Sequence, residues 1–239
     1  MNTARRRKRT KSEVEEDIIN GALSLIEEKG FTGITLTGIT REAKVEPSVF
    51  YNNFVTLDDC LDKLVRKYDY WFSSIFQNYK GDLFSEHGYK FILKELFSSL
   101  SDNKIMQHLL SWELTVNNET TIRTAKLREF HTLPLDEKFQ ELFKDTSIDI
   151  RAVSSLIVGG IYYLILHRDL CTFCGIDVNS QAGKDRIINA IDYLARNFFD
   201  ELSPDKEKLE IARKLKAKNV EFTTIAECTE LPLEIIENL

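Results

Sequence analysis

Gly30-Phe31-Thr32-Gly33-Ile34-Thr35-Leu36-Thr37-Gly38-Ile39-Thr40-Arg41-Glu42-Ala43-Lys44-Val45-Glu46-Pro47-Ser48-Val49-Phe50-Tyr51-Asn52-Asn53-Phe54 holds two short helical patterns around a turn. Leu36, Ile39 and Ala43 recur at three and four, the spacing of one helix face. Lys44-Val45-Glu46 is the turn, with Val45 as its apolar plug. Pro47 falls at the first position of the second helix, where a missing N–H costs nothing. Phe50 and Phe54 turn that helix inward and leave Ser48, Val49, Tyr51 and Asn52 outward. So short a helix is not stable alone. Propped by neighbours, it presents a small and mostly uncharged face, the geometry of a helix-turn-helix whose second helix enters the major groove.

Working outward, Ser12 with Glu15 reads as a capping box. It opens a helix whose inward stripe is Val14, Ile18, Ala22, Leu25 and Ile26, and Gly30 ends it. Thr35 caps the next helix, and Thr56 with Asp59 caps a fourth. The stripe Leu57, Leu61, Leu64, Val65 and Tyr68 predicts that this fourth helix continues to about Tyr79. Residues 1–11 carry Arg5, Arg6, Arg7, Lys8, Arg9 and Lys11 with no apolar anchor beyond Met1. Beside a helix-turn-helix they read as a mobile arm for phosphates and the minor groove; the alternative is a solubilising tail.

The run from Val14 to Leu61 resembles the DNA-binding domain of the TetR (tetracycline-repressor) family of transcriptional regulators. The resemblance is carried by Ile18, Ala22, Leu25-Ile26-Glu27-Glu28-Lys29-Gly30-Phe31, Thr35, Ile39, Ala43, Val45, Phe50-Tyr51 and Phe54. It implies an all-α homodimer with an N-terminal three-helix helix-turn-helix domain and a C-terminal helical body for ligand binding and dimerisation. The expected divisions are a basic arm at 1–11, the DNA-binding domain at 12–56, the body at 57–202 and a helical extension at 203–239. The resemblance also makes Thr35 a phosphate contact and Tyr51 a backbone or base contact. Three positions depart from the family pattern: Lys44 replaces a turn glycine, Asn53 a phosphate-contacting histidine, and Leu57 a lysine. Base chemistry adds Glu46 for a cytosine amino group, Asn52 for adenine and Val49 for a thymine methyl. The expected DNA-contact set is therefore Arg5, Arg6, Arg7, Lys8, Arg9, Thr35, Lys44, Glu46, Pro47, Ser48, Val49, Tyr51, Asn52 and Asn53.

Helices are expected in the body at 84–99, 103–116, 119–131, 136–144, 149–169 and 180–202, with Pro134 ending or kinking the third. No alternating strand pattern interrupts them. Two stripes stand out: Ile150, Val153, Ile157, Gly160 and Leu164, then Ile187, Ile191, Leu194 and Phe198. In the resembling family these positions form a four-helix interface between subunits; otherwise they fill the core of one chain. Gly159-Gly160 permits close backbone approach. Tyr68, Trp71, Phe72, Phe76, Phe91, Phe97, Trp112 and Tyr162 are aromatic candidates to line an effector cavity. His108, Glu113 and Asn117 are candidates to orient a ligand. The implied effector is largely apolar or aromatic; any one of these aromatics has core packing as its plain alternative.

Composition sets the outer bounds. The 239 residues carry a net charge of −6, with 43% apolar and 29% charged residues, ordinary for a soluble globular chain. Residues 1–56 hold nine Lys/Arg against eight Asp/Glu, or +1, leaving −7 for the rest. That excludes a nonspecific polycation. Cys60, Cys171, Cys174 and Cys228 make no disulfide framework and fit a reducing cytoplasm. There is no signal-peptide pattern, and the apolar run at 156–166 is too short to cross a bilayer, so no membrane role is expected. His167-x3-Cys171-x2-Cys174 has zinc or dithiol spacing but lacks a fourth ligand, and the cysteines are expected to be buried apolar groups. No glycine-rich nucleotide loop, nucleophile elbow or paired histidine motif is present, and the carboxylates read as scattered on solvated faces. Neither enzyme chemistry nor a cofactor or metal is expected.

Residues 203–239 reopen the chain at Ser203-Pro204 and resemble a second, minimal helix-turn-helix built on Leu209, Ala212, Leu215, Ile225, Leu231 and Ile236. Its first part is basic, 206–218, and its second acidic, 221–239. Acid on a reading helix repels phosphate, so packing or protein contact is expected there. Together these readings describe a transcriptional regulator, expected to be a repressor, that binds a palindromic double-stranded operator and is released by a small apolar effector. The alternative is a TetR-like protein-interaction adaptor with weak or no DNA binding.

Overall fold

The computed structural model describes residues 9–77, 79–202 and 206–239. The expectations for Arg5, Arg6, Arg7, Lys8, Ser203 and Pro204 lie outside the described residues. α1 is Lys11–Lys29, capped by Thr10 rather than Ser12. Thr10 Oγ1 accepts from the Glu13 N–H (3.2 Å), and the Glu13 carboxylate accepts from the Thr10 N–H (2.7 Å). The earlier of two overlapping boxes wins because Arg9 is tied to Asp17 and to the carbonyls of Ala43 and Lys44, which fixes the entering chain.

A short 3-10 turn, Phe31–Gly33, leads to α2, Leu36–Ala43, and α3, Pro47–Tyr51. α4 is Leu57–Val65, capped by Thr56. It does not run on to Tyr79: a 3-10 turn at Arg66–Tyr68 and a separate α5, Trp71–Ile75, replace the expected single helix. Arg123 explains the break, since it donates to Asp62 before the turn (2.9 Å) and to Asp69 after it (2.8 Å). The Ser73 and Ser74 hydroxyls also donate back to the carbonyls of Tyr70 and Trp71, competing with helix bonds.

The body continues with α6 (Glu86–Asp102), α7 (Lys104–Thr115), α8 (Glu119–Leu142), α9 (Ile150–His167) and α10 (Gln181–Asp200). Side chains of Ser85, Asn103, Asn118, Asp149 and Ser180 cap them in turn. Pro134 lies inside α8 rather than ending it, so the two helices expected there are one. Buried Thr120, Thr121 and Thr124 before the proline and Phe139 after it hold both halves in place. Packing overrides the local breaker.

One hydrophobic core runs from Ile18 and Phe50 through Leu64, Leu96 and Leu109 to Ile165 and Ile191, joining the N-terminal helices to the body. A second, separate core of Ala212, Ile225, Leu231 and Ile236 is made by α11 (Lys206–Lys216), α12 (Phe222–Thr229) and α13 (Leu233–Glu237). Among the described residues the chain is all-α, with one isolated bridge between Phe173 and Ile176.

Candidate nucleic-acid interface and body cavities

α3 is held from beneath. Phe50 and Phe54 are buried in the core, and Val45 N–H donates to the Thr40 carbonyl (3.0 Å) to close the turn. Lys44 adopts φ 53, the left-handed region that a β-carbon disfavours by about 1–2 kcal/mol. Arg9 supports that turn from outside, donating to Ala43 O (3.1 Å) and Lys44 O (2.9 Å). Arg9 is therefore a clamp on the turn, not a free member of the arm. Glu46, Pro47, Ser48, Tyr51 and Asn52 are exposed, and Val49 is half-buried. Asn53 departs from this set: its amide donates to Val49 O (2.8 Å) and its oxygen is buried, so the side chain closes α3 instead of facing outward. Thr35 is exposed and caps α2 by accepting from the Gly38 N–H (3.1 Å).

The joint between the N-terminal helices and the body uses two residues expected at a ligand cavity, Trp112 as lining and His108 as an orienting group. Trp112 of α7 stacks on Phe31, with ring centroids 4.6 Å apart and planes within 4°. The His108 ring lies 3.2 Å from where a β-carbon on Gly30 would stand, and Gly30 has φ +71. Any other residue at position 30 meets both the ring and an unfavourable backbone. His108 and Trp112 thus brace the head.

Across the break after α4, Asp62 takes hydrogen bonds from Arg66 (2.9 Å) and Arg123 (2.9 Å). Burial pushes the Asp62 carboxyl up, but these two guanidinium groups outweigh it and hold the carboxyl below its ordinary value. The Asp69 side chain is only 8% exposed and has Arg123 as its ion-pair partner.

Two mainly apolar cavities flank α8. The first, about 300 Å³, is walled by Phe72, Tyr89, Leu93, Phe139 and Val158, with Asp136 at its edge. Burial, then the charge of neighbouring Glu129, pushes the Asp136 carboxyl up. The second, about 600 Å³, lies among α7, α8 and α9, with Leu110, Leu114, Tyr162 and Leu166 around it. Its polar group is the largely buried Glu113–Arg128 ion pair, to which Thr124 Oγ1 adds a hydrogen bond at 2.7 Å. Of the expected lining, Phe72 reaches the first cavity and Glu113 and Tyr162 the second. Tyr68, Trp71 and Phe76 pack against the core, Phe97 is within it, and Phe91 stacks on Tyr79 at 4.4 Å. Sequence reasoning misses Arg123 and Arg128, because Asp69 counts among the carboxylates expected on solvated faces and Glu113, expected to orient a ligand, shows no partner along the chain; both are well buried. The two arginines stand five positions apart on one long helix, and that placement was the available signal.

The α9 and α10 stripes divide. Ile150 and Ile191 are buried in the chain's own core, so they are not an outer face. Ile157, Ile187 and Phe198 are partly buried against it, while Val153, Leu164 and Leu194 are half-exposed. Of the expected stripe Gly160 is exposed, and the outer surface joins it to Leu156 (78% exposed), Gly159 and Tyr163 of α9 and to Ala190 and Tyr193 of α10. α9 lies within the expected 149–169, and although the run at 156–166 is too short to cross a bilayer, the whole 18-residue helix is long and apolar enough to do so by length and composition, with 17% of it buried. Just beyond it, Cys171 and Cys174 are exposed, contrary to the expected burial. Cys171 Sγ is 4.0 Å from the His167 ring, and among the described residues no group of three such side chains is placed to hold a metal.

No family model and no curated protein matches the sequence. Solved structures do match. The fatty acid degradation regulator FadR from Bacillus halodurans aligns over 80% of this chain and 96% of its own, at 20% identity and a TM-score of 0.57. FadR from Bacillus subtilis, solved with stearoyl-CoA, aligns over 75% and 96% at 16% identity and 0.56. A TetR-family transcriptional regulator from Haemophilus influenzae aligns over 78% and 98% at 14% identity and 0.53. The chain has the TetR fold. In TetR terms α2 and α3 are the helix-turn-helix and α4 joins it to the body. These neighbours are spanned almost whole, whereas a fifth or more of this chain lies beyond each alignment.

Proposed function

We propose that this TetR-fold chain is a DNA-binding transcriptional repressor that reads a palindromic operator as a homodimer. The observation that carries the reading is α3: a short helix braced by a buried Phe50, with Ser48, Tyr51 and Asn52 standing clear of the protein. Asn52 reads adenine, Val49 touches a thymine methyl, and Thr35 at the start of α2 takes a phosphate. The apolar outer surface of α9 and α10 supports a partner copy packed there, which sets two α3 helices one or more DNA turns apart.

The effector reading rests on the larger cavity. Its volume of about 600 Å³ and apolar walls suit a small, largely apolar ligand, and one structural neighbour, the FadR from Bacillus subtilis, was solved with stearoyl-CoA, whose acyl chain, though not its coenzyme A part, is apolar. α8 is the common element: it carries Arg128 at the cavity and Arg123 at the α4 joint. A ligand that displaces α8 moves α4 and, with it, the reading head. Arg9 and Asn53, both engaged within the protein, favour the adaptor alternative by reducing the phosphate contacts available. Titration of the purified chain with DNA from upstream of its own gene, over a range of salt, separates the two. Tighter binding to that DNA than to random duplex supports the repressor. Equal binding to both at every salt concentration rules it out.

A further inference from the structure

The larger cavity holds donors for which the chain supplies no acceptor. Each oxygen of Glu113 already accepts a hydrogen bond, Oε1 from Thr124 Oγ1 (2.7 Å) and Oε2 from Arg128 Nη2. That leaves most of the guanidinium unused: among the described residues Arg128 Nε and Nη1 meet no acceptor. The Tyr162 hydroxyl, on the same cavity wall, has no hydrogen-bond partner among them either. Burial pushes that hydroxyl up, Arg128 offsets part of the effect and Glu113 adds to it. Tyr162 is therefore protonated and lies within the field of both charges. The other polar groups of the lining are engaged elsewhere. Ser111 Oγ donates to Gln107 O (3.0 Å) and Thr115 Oγ1 to Ser111 O (2.9 Å). Tyr163 and His167 stack on each other with ring centroids 5.0 Å apart.

Charge decides what the free donors take. Glu113 already matches the Arg128 charge, so a ligand carboxylate would bring a second anion to one cation between apolar walls. An ammonium group would meet the Arg128 charge and a carboxylate whose two oxygens are both in use. A carbonyl oxygen adds no net charge, offers two lone pairs to two donors and has no hydrogen of its own to satisfy.

We infer that the larger cavity selects neutral, apolar molecules bearing a carbonyl group, whose oxygen accepts from Arg128 and Tyr162. The inference rests on the reading of this cavity as the effector site and narrows the ligand to one chemistry. Calorimetric titration of the full chain at neutral pH tests it with three probes of equal carbon number: methyl heptyl ketone, nonanoate and nonylammonium. The ketone should bind at least about tenfold tighter than either ion. Tyr162→Phe keeps the ring, removes one donor and should weaken ketone binding about tenfold. Arg128→Met alone would strand the buried Glu113, so it is paired with Glu113→Met; Thr124 keeps its bond to Thr121 O (3.1 Å). This double variant should melt no lower than wild type and bind the ketone at least about tenfold more weakly. Either ion binding wild type as tightly as the ketone overturns the inference while leaving the cavity a ligand site. Ketone affinity unchanged in both variants overturns it as well. If none of the three probes binds, the effector reading of the cavity falls with the inference, a result separate from any measurement on DNA.

Discussion

Phe50 and Tyr51 are adjacent on α3 yet 0% and 57% exposed, so single substitutions on this helix separate folding from reading. Phe50→Ala leaves a cavity beneath the head and should cost about 3–5 kcal/mol, lowering the thermal midpoint. Asn52→Ala removes only an exposed amide. It should leave the melt unchanged and weaken operator binding by about 1–3 kcal/mol, seen by anisotropy as preference lost at one base pair. Cys60 offers a chemical check on the same core. Burial, then the charges of Asp59 and Glu15, pushes its thiol up to about 12, against a partial lowering by Lys63. Its proton is held where an unfolded chain would release it, so the thiolate is scarce at pH 8. Iodoacetamide at that pH should label Cys171, Cys174 and Cys228, which are exposed, and reach Cys60 only on unfolding. Rapid labelling of Cys60 in the native protein would contradict this packing.

Elements whose signals are local were legible in the sequence, and elements governed from a distance were not. The caps at Thr35 and Thr56 and the turn at Lys44-Val45-Glu46 depend on neighbours three or four residues away and are present, although the Asp59 carboxylate accepts from the Val55 N–H rather than completing a box with Thr56. The break after α4 depends chiefly on Arg123, 61 residues from Asp62 and 54 from Asp69, so no short window along the chain contains that part of its cause. The same holds for Pro134, where packing on both sides carries α8 past a breaker. Of the cavities, the sequence supplied Phe72, Glu113 and Tyr162 but could not assign them to two sites or set His108 and Trp112 at the joint. The Arg123 bridge can be tested directly. Arg123→Met strands Asp69 in a buried position and should destabilise the chain by about 3–5 kcal/mol in urea, with Asp69→Asn in addition restoring part of the loss. Because the folded Asp62 carboxyl lies below its ordinary value, its contribution is full above that ordinary value and is lost as pH falls through the folded one. Arg123→Met should therefore flatten the acid limb of stability against pH. An unchanged acid limb would mean that the bridge does not hold the joint.

At the scale of the whole molecule, two reading heads are useful only if a second copy fixes their spacing, and α9 shows how to ask this without DNA. Gly159 and Gly160 have open space where a β-carbon would stand, so within one chain a larger side chain there meets nothing. Glycine inside a helix costs about 0.8–1.0 kcal/mol relative to alanine, and an isolated chain gains by losing it. In a dimer crossing at this point, the same side chain separates two backbones that need to approach closely. Gly160→Leu should thus act with opposite signs at the two scales. Sedimentation should show a shift from dimer to monomer, while the helical signal is kept and the melt of the dissociated chain is no lower than that of wild type at the same dilution. Leu156→Glu, 78% exposed in one chain, should dissociate the dimer without the gain in helix stability. If both variants stayed dimeric at the wild-type concentration, the apolar surface of α9 and α10 would have some other occupant, and the spacing of the two α3 helices would have to be set elsewhere.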